Sequence, residues 1–143
     1  MRSALILSAM TLAAVGARAQ ATAADSAAIR ETALNYVEGW YAGDADRMAR
    51  ALHPDLAKRI VRADESGASR LQSMGAEQLI EGARRGFGRD TPESERRRDV
   101  TILDIFGNVA SVRADMSGWI DYMHMARWNG EWRIVNVLWE LRE

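Results

Sequence analysis

The chain has no cysteine, which removes disulfides, cysteine-ligated metals and thiol nucleophiles together. Histidine is nearly absent too: His53 and His124 fall on different elements with no third ligand at a recognisable spacing, so no metal site is expected. No serine sits in a nucleophile-elbow pattern, and no histidine–acid pair is spaced for acyl transfer. One apolar run exists, Ala4 to Ala17, and it is too short to span a bilayer as a helix. Preceded by Met1-Arg2 and closed by Ala17-Arg18-Ala19, it reads as a secretory signal cleaved before Gln20, with an uncleaved anchor as the competing reading. The expected organisation is thus a signal over residues 1–19 and a single domain over 20–143, periplasmic or secreted. Without Arg2 and Arg18 the mature part holds 17 basic and 20 acidic residues. That near balance calls for neither nucleic acid nor an anionic membrane surface.

A disulfide-free exported domain must be held by its own core, and the pattern supplies one. DSAAIRETALNYVEGWYAGD predicts a helix from Asp25, with Asp25 or Ser26 as N-cap and Gly43 as stop. DADRMARALHPDL predicts a second, capped by Asp44 and ended by Pro54. A strand is expected around Arg59–Arg62, an extended piece around Arg70–Met74, and a third helix in GAEQLIEGARRGF. The glycines and arginines of RRGFGRD lack the strand–loop–helix context of a phosphate cradle, and GRDTPESERRRD reads as a solvated loop. Beyond it the period changes to two, with tight turns at Gly107-Asn108 and Asn129-Gly130. Helices followed by a meander indicate an α+β fold: a cone-like curved antiparallel sheet wrapped around three N-terminal helices.

In the last hairpin, DYMHMARWNGEWRIVNVLWE, a two-residue turn would pair Trp128 with Glu131, Arg127 with Trp132 and Met123 with Asn136. One face would carry Asp121, Met123 and Met125 beside Trp132, Ile134, Asn136 and Leu138. The other would carry Tyr122 and His124 beside Val135, Val137 and Trp139. Both are substantially apolar, so both should be covered: one by the helices, the other by a second copy of the sheet in a homodimer. A slip of one residue would exchange every assignment.

Asp121 is the leading functional candidate, since an inward carboxylate can act as a general base or accept a ligand N–H. The bland reading is a structural acid held by backbone amides or by Arg127. Asn136 on the same face would orient a ligand rather than react. Trp40 and Tyr41 close the first helix, where core packing is the default and a pocket lip the alternative. Met123 fits an adaptable lining or an ordinary core. His53 reads as a helix-end cation and His124 as an interface residue.

The order of these elements, with LNYVEGWYAGDADRMARALHPDLAKR, VTILDIFGNVASVRAD and the last hairpin, resembles the nuclear transport factor 2-like superfamily, closest to its lumazine-binding, SnoaL-like branch. The resemblance implies a cone-shaped barrel, commonly a dimer through the sheet, with a cavity able to hold a flat heterocycle. Trp40, Tyr41 and Trp132 would stack on such a ring while Asp121 and Asn136 met its nitrogens and carbonyls. It does not decide between binding and catalysis. Three readings stay open: an exported binding protein, a cofactor-independent isomerase, dehydratase or cyclase with Asp121 as base, and an interaction module using the face around Tyr122, His124 and Trp139. Asp55 lies near the place where steroid isomerases carry a base, but the surrounding pattern is missing and the role is not transferred.

Overall fold

The computed structural model describes residues 21–142, so the expected signal segment lies outside the described residues. Helix α1 (Ala23–Ala42) begins slightly earlier than the pattern suggests, because Thr22 and Asp25 form a reciprocal cap. The Asp25 amide donates to the Thr22 hydroxyl at 3.1 Å and the Thr22 amide to the Asp25 carboxylate at 3.0 Å. The helix stops at Gly43, whose φ of 66° is one that a side chain resists. Helix α2 (Ala45–Ala51) is capped by Asp44 as expected. It does not run on to Pro54. Strand β1 (Leu52–Ala63) takes over at once, and Pro54 sits exposed in the stretch between Leu52 and Ala57 where strand pairing is irregular, a place that tolerates a missing N–H.

Strand β2 (Ser69–Met74), helix α3 (Ala76–Arg84), β3 (Asp99–Phe106), β4 (Val109–Asp115), β5 (Trp119–Trp128) and β6 (Glu131–Leu141) follow. The sheet order is β2-β1-β6-β5-β4-β3. All pairs are antiparallel except β1 with β6, so the sheet is mixed rather than wholly antiparallel. The long path from β1 to β6 permits this, since parallel neighbours need a crossover rather than a hairpin.

One face of the sheet packs on the helices. Ile29, Ala33 and Val37 of α1 and Leu79 of α3 meet Val112, Met123, Met125, Ile134 and Val137, all essentially inaccessible. Each side chain of that size contributes roughly 1.5–3 kcal/mol by leaving water. In the last hairpin, Asn129 (φ 50°) and Gly130 (φ 83°) form the expected turn, and Trp128–Glu131 and Arg127–Trp132 pair as predicted. The register then shifts. Met125 faces Ile134 but His124 faces Asn136, leaving Val135 as one extra residue on β6.

From that bulge onward the predicted faces exchange on β6, while the β5 residues keep theirs. Met123 faces Val137 and Asp121 faces Trp139 on the inner side, while Asn136 and Leu138 lie outside beside His124 and Tyr122. Asn136 meets His124 Nδ1 at 3.1 Å and accepts from Arg59 at 3.1 Å. Val137 and Trp139, expected on the dimer face, are therefore core-side residues.

Candidate functional site

Tyr36 and Trp40 stand one turn apart on α1, so they share a face. Trp119 and Asp121 alternate onto the inner face of β5. The bulge brings Trp139 opposite Asp121, and the parallel register places Lys58 beside Val137. Together with Met74 and Leu79, these elements enclose a pocket of about 210 Å³ whose lining is almost entirely apolar: Tyr36, Trp40, Lys58, Trp119, Trp139 and Leu141 form the rest of it. Trp119 meets Trp40 edge-on at 5.9 Å and Trp139 at 6.1 Å, giving a wall of three indoles. Gly88 makes room for that wall, because a Cβ there would overlap the Trp40 carbonyl and indole ring.

The polar floor is a closed network. Lys58 is 3% exposed and Asp121 fully buried, and they form an ion pair. Lys58 Nζ also donates to the Tyr36 hydroxyl at 2.6 Å. That hydroxyl donates onward to Asp121 Oδ2 at 3.0 Å, which also accepts from Trp119 Nε1 at 2.9 Å. The ammonium lies 4.8 Å from the Trp139 ring centre, 5.3 Å from Tyr36 and 5.5 Å from Trp119, an aromatic cage for a cation. Burial lowers the Lys58 pKa below its ordinary 10.5, against the opposing pull of Asp121. Burial, then the charge of Asp121, pushes the Tyr36 phenol up. One lining donor is unused: the indole N–H of Trp139 is buried without a hydrogen-bond partner.

Of the residues singled out in the sequence, Trp40 lines this pocket and Asp121 lies directly beneath it. Asp121 is held by Lys58, not by Arg127, which pairs with Asp25. Met123 is buried two residues from Asp121 and lies outside the pocket wall. Tyr41 is a core residue whose hydroxyl sits 3.0 Å from Ser117 Oγ and accepts from the Ser117 amide. Trp132 lies near the opposite end of β5, 3% exposed beneath the Arg127 guanidinium, and lines a separate charged cleft with Glu31 and Arg50. Asn136 is outside. The stacking trio and the Asp121–Asn136 pair are therefore not assembled.

His53 follows the end of α2, its ring edge-on to Trp128 at 4.5 Å and its Nδ1 accepting from the Asp55 amide. The Asp55 side chain is 94% exposed, unlike a cavity base. Among the described residues no group of three or more His, Asp or Glu is placed to hold a metal. Sequence reasoning missed Lys58, Trp119 and the inward position of Trp139. A signal for the first was present: of 19 basic side chains, Lys58 is the only lysine.

Helices packed on one curved, mixed six-stranded sheet define the nuclear transport factor 2-like class, and solved structures share it. One such protein from Shewanella baltica, described as of unknown function, superposes with a TM-score of 0.62 at 21% identity, covering 84% of this chain and 95% of that one. A second, from Methylobacillus flagellatus and likewise described, gives 0.62 at 21%, covering 85% and 95%. A third, from Novosphingobium aromaticivorans and described as having a cystatin-like fold, gives 0.59 at 15%, covering 84% and 83%. At these identities the likeness concerns the fold alone. Within the class, the family model described as "Putative lumazine-binding" matches residues 24–140, and the chain belongs to that family. A comparison with curated proteins gives no match.

Proposed function

We propose that the protein is an exported binder of a small, partly aromatic molecule, held against Trp40, Trp119 and Trp139 over the Lys58–Asp121 floor. The observation that carries this is an apolar pocket closed at its base by a buried cation, with a wall residue, Trp139, whose buried indole N–H has no partner. Flat rings suit the indoles, and a ligand oxygen would supply the acceptor that the Trp139 N–H lacks. The family's name favours a heterocycle of that kind. The test is thermal stabilisation and tryptophan fluorescence on titration with lumazine and simpler aromatic carbonyl compounds. At about 100 times Kd a ligand should stabilise by about 2.7 kcal/mol. Trp40→Leu should abolish the response and Asn136→Leu should leave it intact; the reverse pattern would remove this site.

Catalysis of the isomerase, dehydratase or cyclase kind is the second reading. Asp121 is buried under Lys58, Tyr36 and Trp119, so a proton would have to pass through Lys58 or Tyr36 to reach it. The same proposal places a second copy on the outer sheet face, where Tyr122 (45% exposed) and Leu138 (53%) lie near His124. Sedimentation of the wild type as a dimer and of Leu138→Glu as a monomer would support it.

A further inference from the structure

We propose that Lys58 is a carbonyl-reactive amine, which takes an aldehyde or ketone on a small, partly aromatic molecule as a Schiff base. This deepens the binding reading and rests on its pocket. Three placements carry it. Lys58 belongs to the pocket lining, whereas Asp121, whose carboxylate serves it, is fully buried and outside that lining. Tyr36 bridges amine and acid, at 2.6 Å from Nζ and 3.0 Å from Asp121 Oδ2, so a proton can move between them without water. Finally, arginine supplies every other basic side chain but cannot give up its proton to become a nucleophile, and the one lysine stands here.

The step balances without a further reactant. Asp121 takes one proton from the ammonium, and the freed Nζ lone pair attacks the carbonyl carbon. The C–N bond forms as the C=O π pair moves to oxygen, and a proton passes from nitrogen to that oxygen through Tyr36 and Asp121. Protonation of the carbinolamine hydroxyl by Tyr36, which recovers its proton from Asp121, then breaks the C–O bond, releasing water and leaving an iminium. Charge is conserved: the iminium replaces the ammonium opposite the Asp121 carboxylate, and nothing is oxidised or reduced. The lowered proton affinity of the buried amine favours the first transfer, and the apolar walls favour loss of water.

The experiment treats the folded full chain at neutral pH with benzaldehyde and sodium cyanoborohydride, which reduces an imine to a stable benzylamine. Intact mass and peptide mapping then locate the adduct. The same reaction on guanidinium-unfolded chain supplies the rate of an ordinary lysine, and the α-amine is an internal reference. Benzyl alcohol, which has the ring but no carbonyl, reports non-covalent binding through thermal shift. The expected result is one benzyl group on Lys58, gained about a hundredfold faster in the folded than in the unfolded chain, the low end of positioned acid–base assistance. Labelling slower in the folded chain, or confined to the α-amine, overturns the proposal. If both compounds raise the melting temperature while Lys58 stays unmodified, the covalent step falls and the binding pocket stands. If neither raises it and no adduct forms, both fall. Asp121→Asn, where it folds, should slow labelling while leaving benzyl alcohol binding in place, an effect that a purely structural carboxylate would not produce.

Discussion

Strand β5 carries an ion pair near each end, and the two are built from opposite choices. At its start Asp121 holds Lys58 in a dry site, with both side chains almost inaccessible. Near its end Arg127 holds Asp25 of the α1 cap at the surface, with side-chain exposures of 33% and 16%. The wet pair joins a cation that is always charged to a carboxylate whose pKa is brought down to about 2, chiefly by the Thr22 amide and then by Arg127. It clamps a helix to a sheet and is screened by salt. The dry pair uses the cation whose protonation burial can change. Position thus separates a fastener from a group able to do chemistry.

The largest effect should come from breaking the dry pair. Asp121→Asn leaves an uncompensated buried ammonium and should cost about 3–5 kcal/mol in chemical unfolding at neutral pH. Lys58→Met combined with Asp121→Asn should recover most of that loss, because no charge then remains in the interior. A double variant as unstable as the single one would show that the network, rather than the orphaned charge, sets the stability.

Gly88→Ala tests the pocket without touching either pair. The new methyl must displace Trp40, at a cost of about 1–3 kcal/mol, and the ligand response should fall with it. Trp139→Phe is a finer probe. Removing a buried N–H that has no partner should offset the lost packing, leaving unliganded stability within about 1 kcal/mol of wild type. Carbonyl ligands should nonetheless bind more weakly, by about 0.5–1.5 kcal/mol, the usual worth of one hydrogen bond.

The smallest expected effects are those of pH, and at the two ends they run in the same direction but in different windows. Unfolding returns Asp25 to about its ordinary 3.8, so the unfolded chain takes up the proton first. Its contribution is complete above that value and is lost as pH falls toward 2. Asp25→Asn should remove this part of the acid transition, and salt should weaken it in the wild type. Lys58 has the same sign in an alkaline window. With its folded pKa below 10.5, the unfolded chain binds more protons, so its contribution to stability grows as pH rises toward that value. Tyr36, raised above 10.0, opposes it at the alkaline limit, where the unfolded phenol ionises first. Denaturation midpoints from pH 2 to pH 10 would show both slopes.

The elements were legible because their signals are local: a helical apolar period before Gly43, the Asp44 cap, and turns at Gly107-Asn108 and Asn129-Gly130. What failed to show depends on pairing between distant segments. Pro54 ends helices in isolation, and only the irregular junction with β6 lets it stand in a strand. The parallel β1–β6 ladder leaves no mark on either strand's own pattern. Asp121 was recognisable as a carboxylate among apolar neighbours, but its partner lies 63 residues away. Lys58 could have been noticed for its rarity, though rarity alone gives no location.

The unpaired Val135 works as a spatial frameshift. Upstream and downstream of it the same alternating sequence is read in different phase, so Trp132 and Trp139, seven positions apart and of opposite parity, both point inward. Deleting that one residue would leave every pair in place, with Val137 and Trp139 still inward, whereas pairing Val135 into the ladder would turn them toward solvent and Asn136 and Leu138 toward the helices. The wall of this pocket therefore depends on one residue that takes no place in the ladder, as much as on the residues that form it.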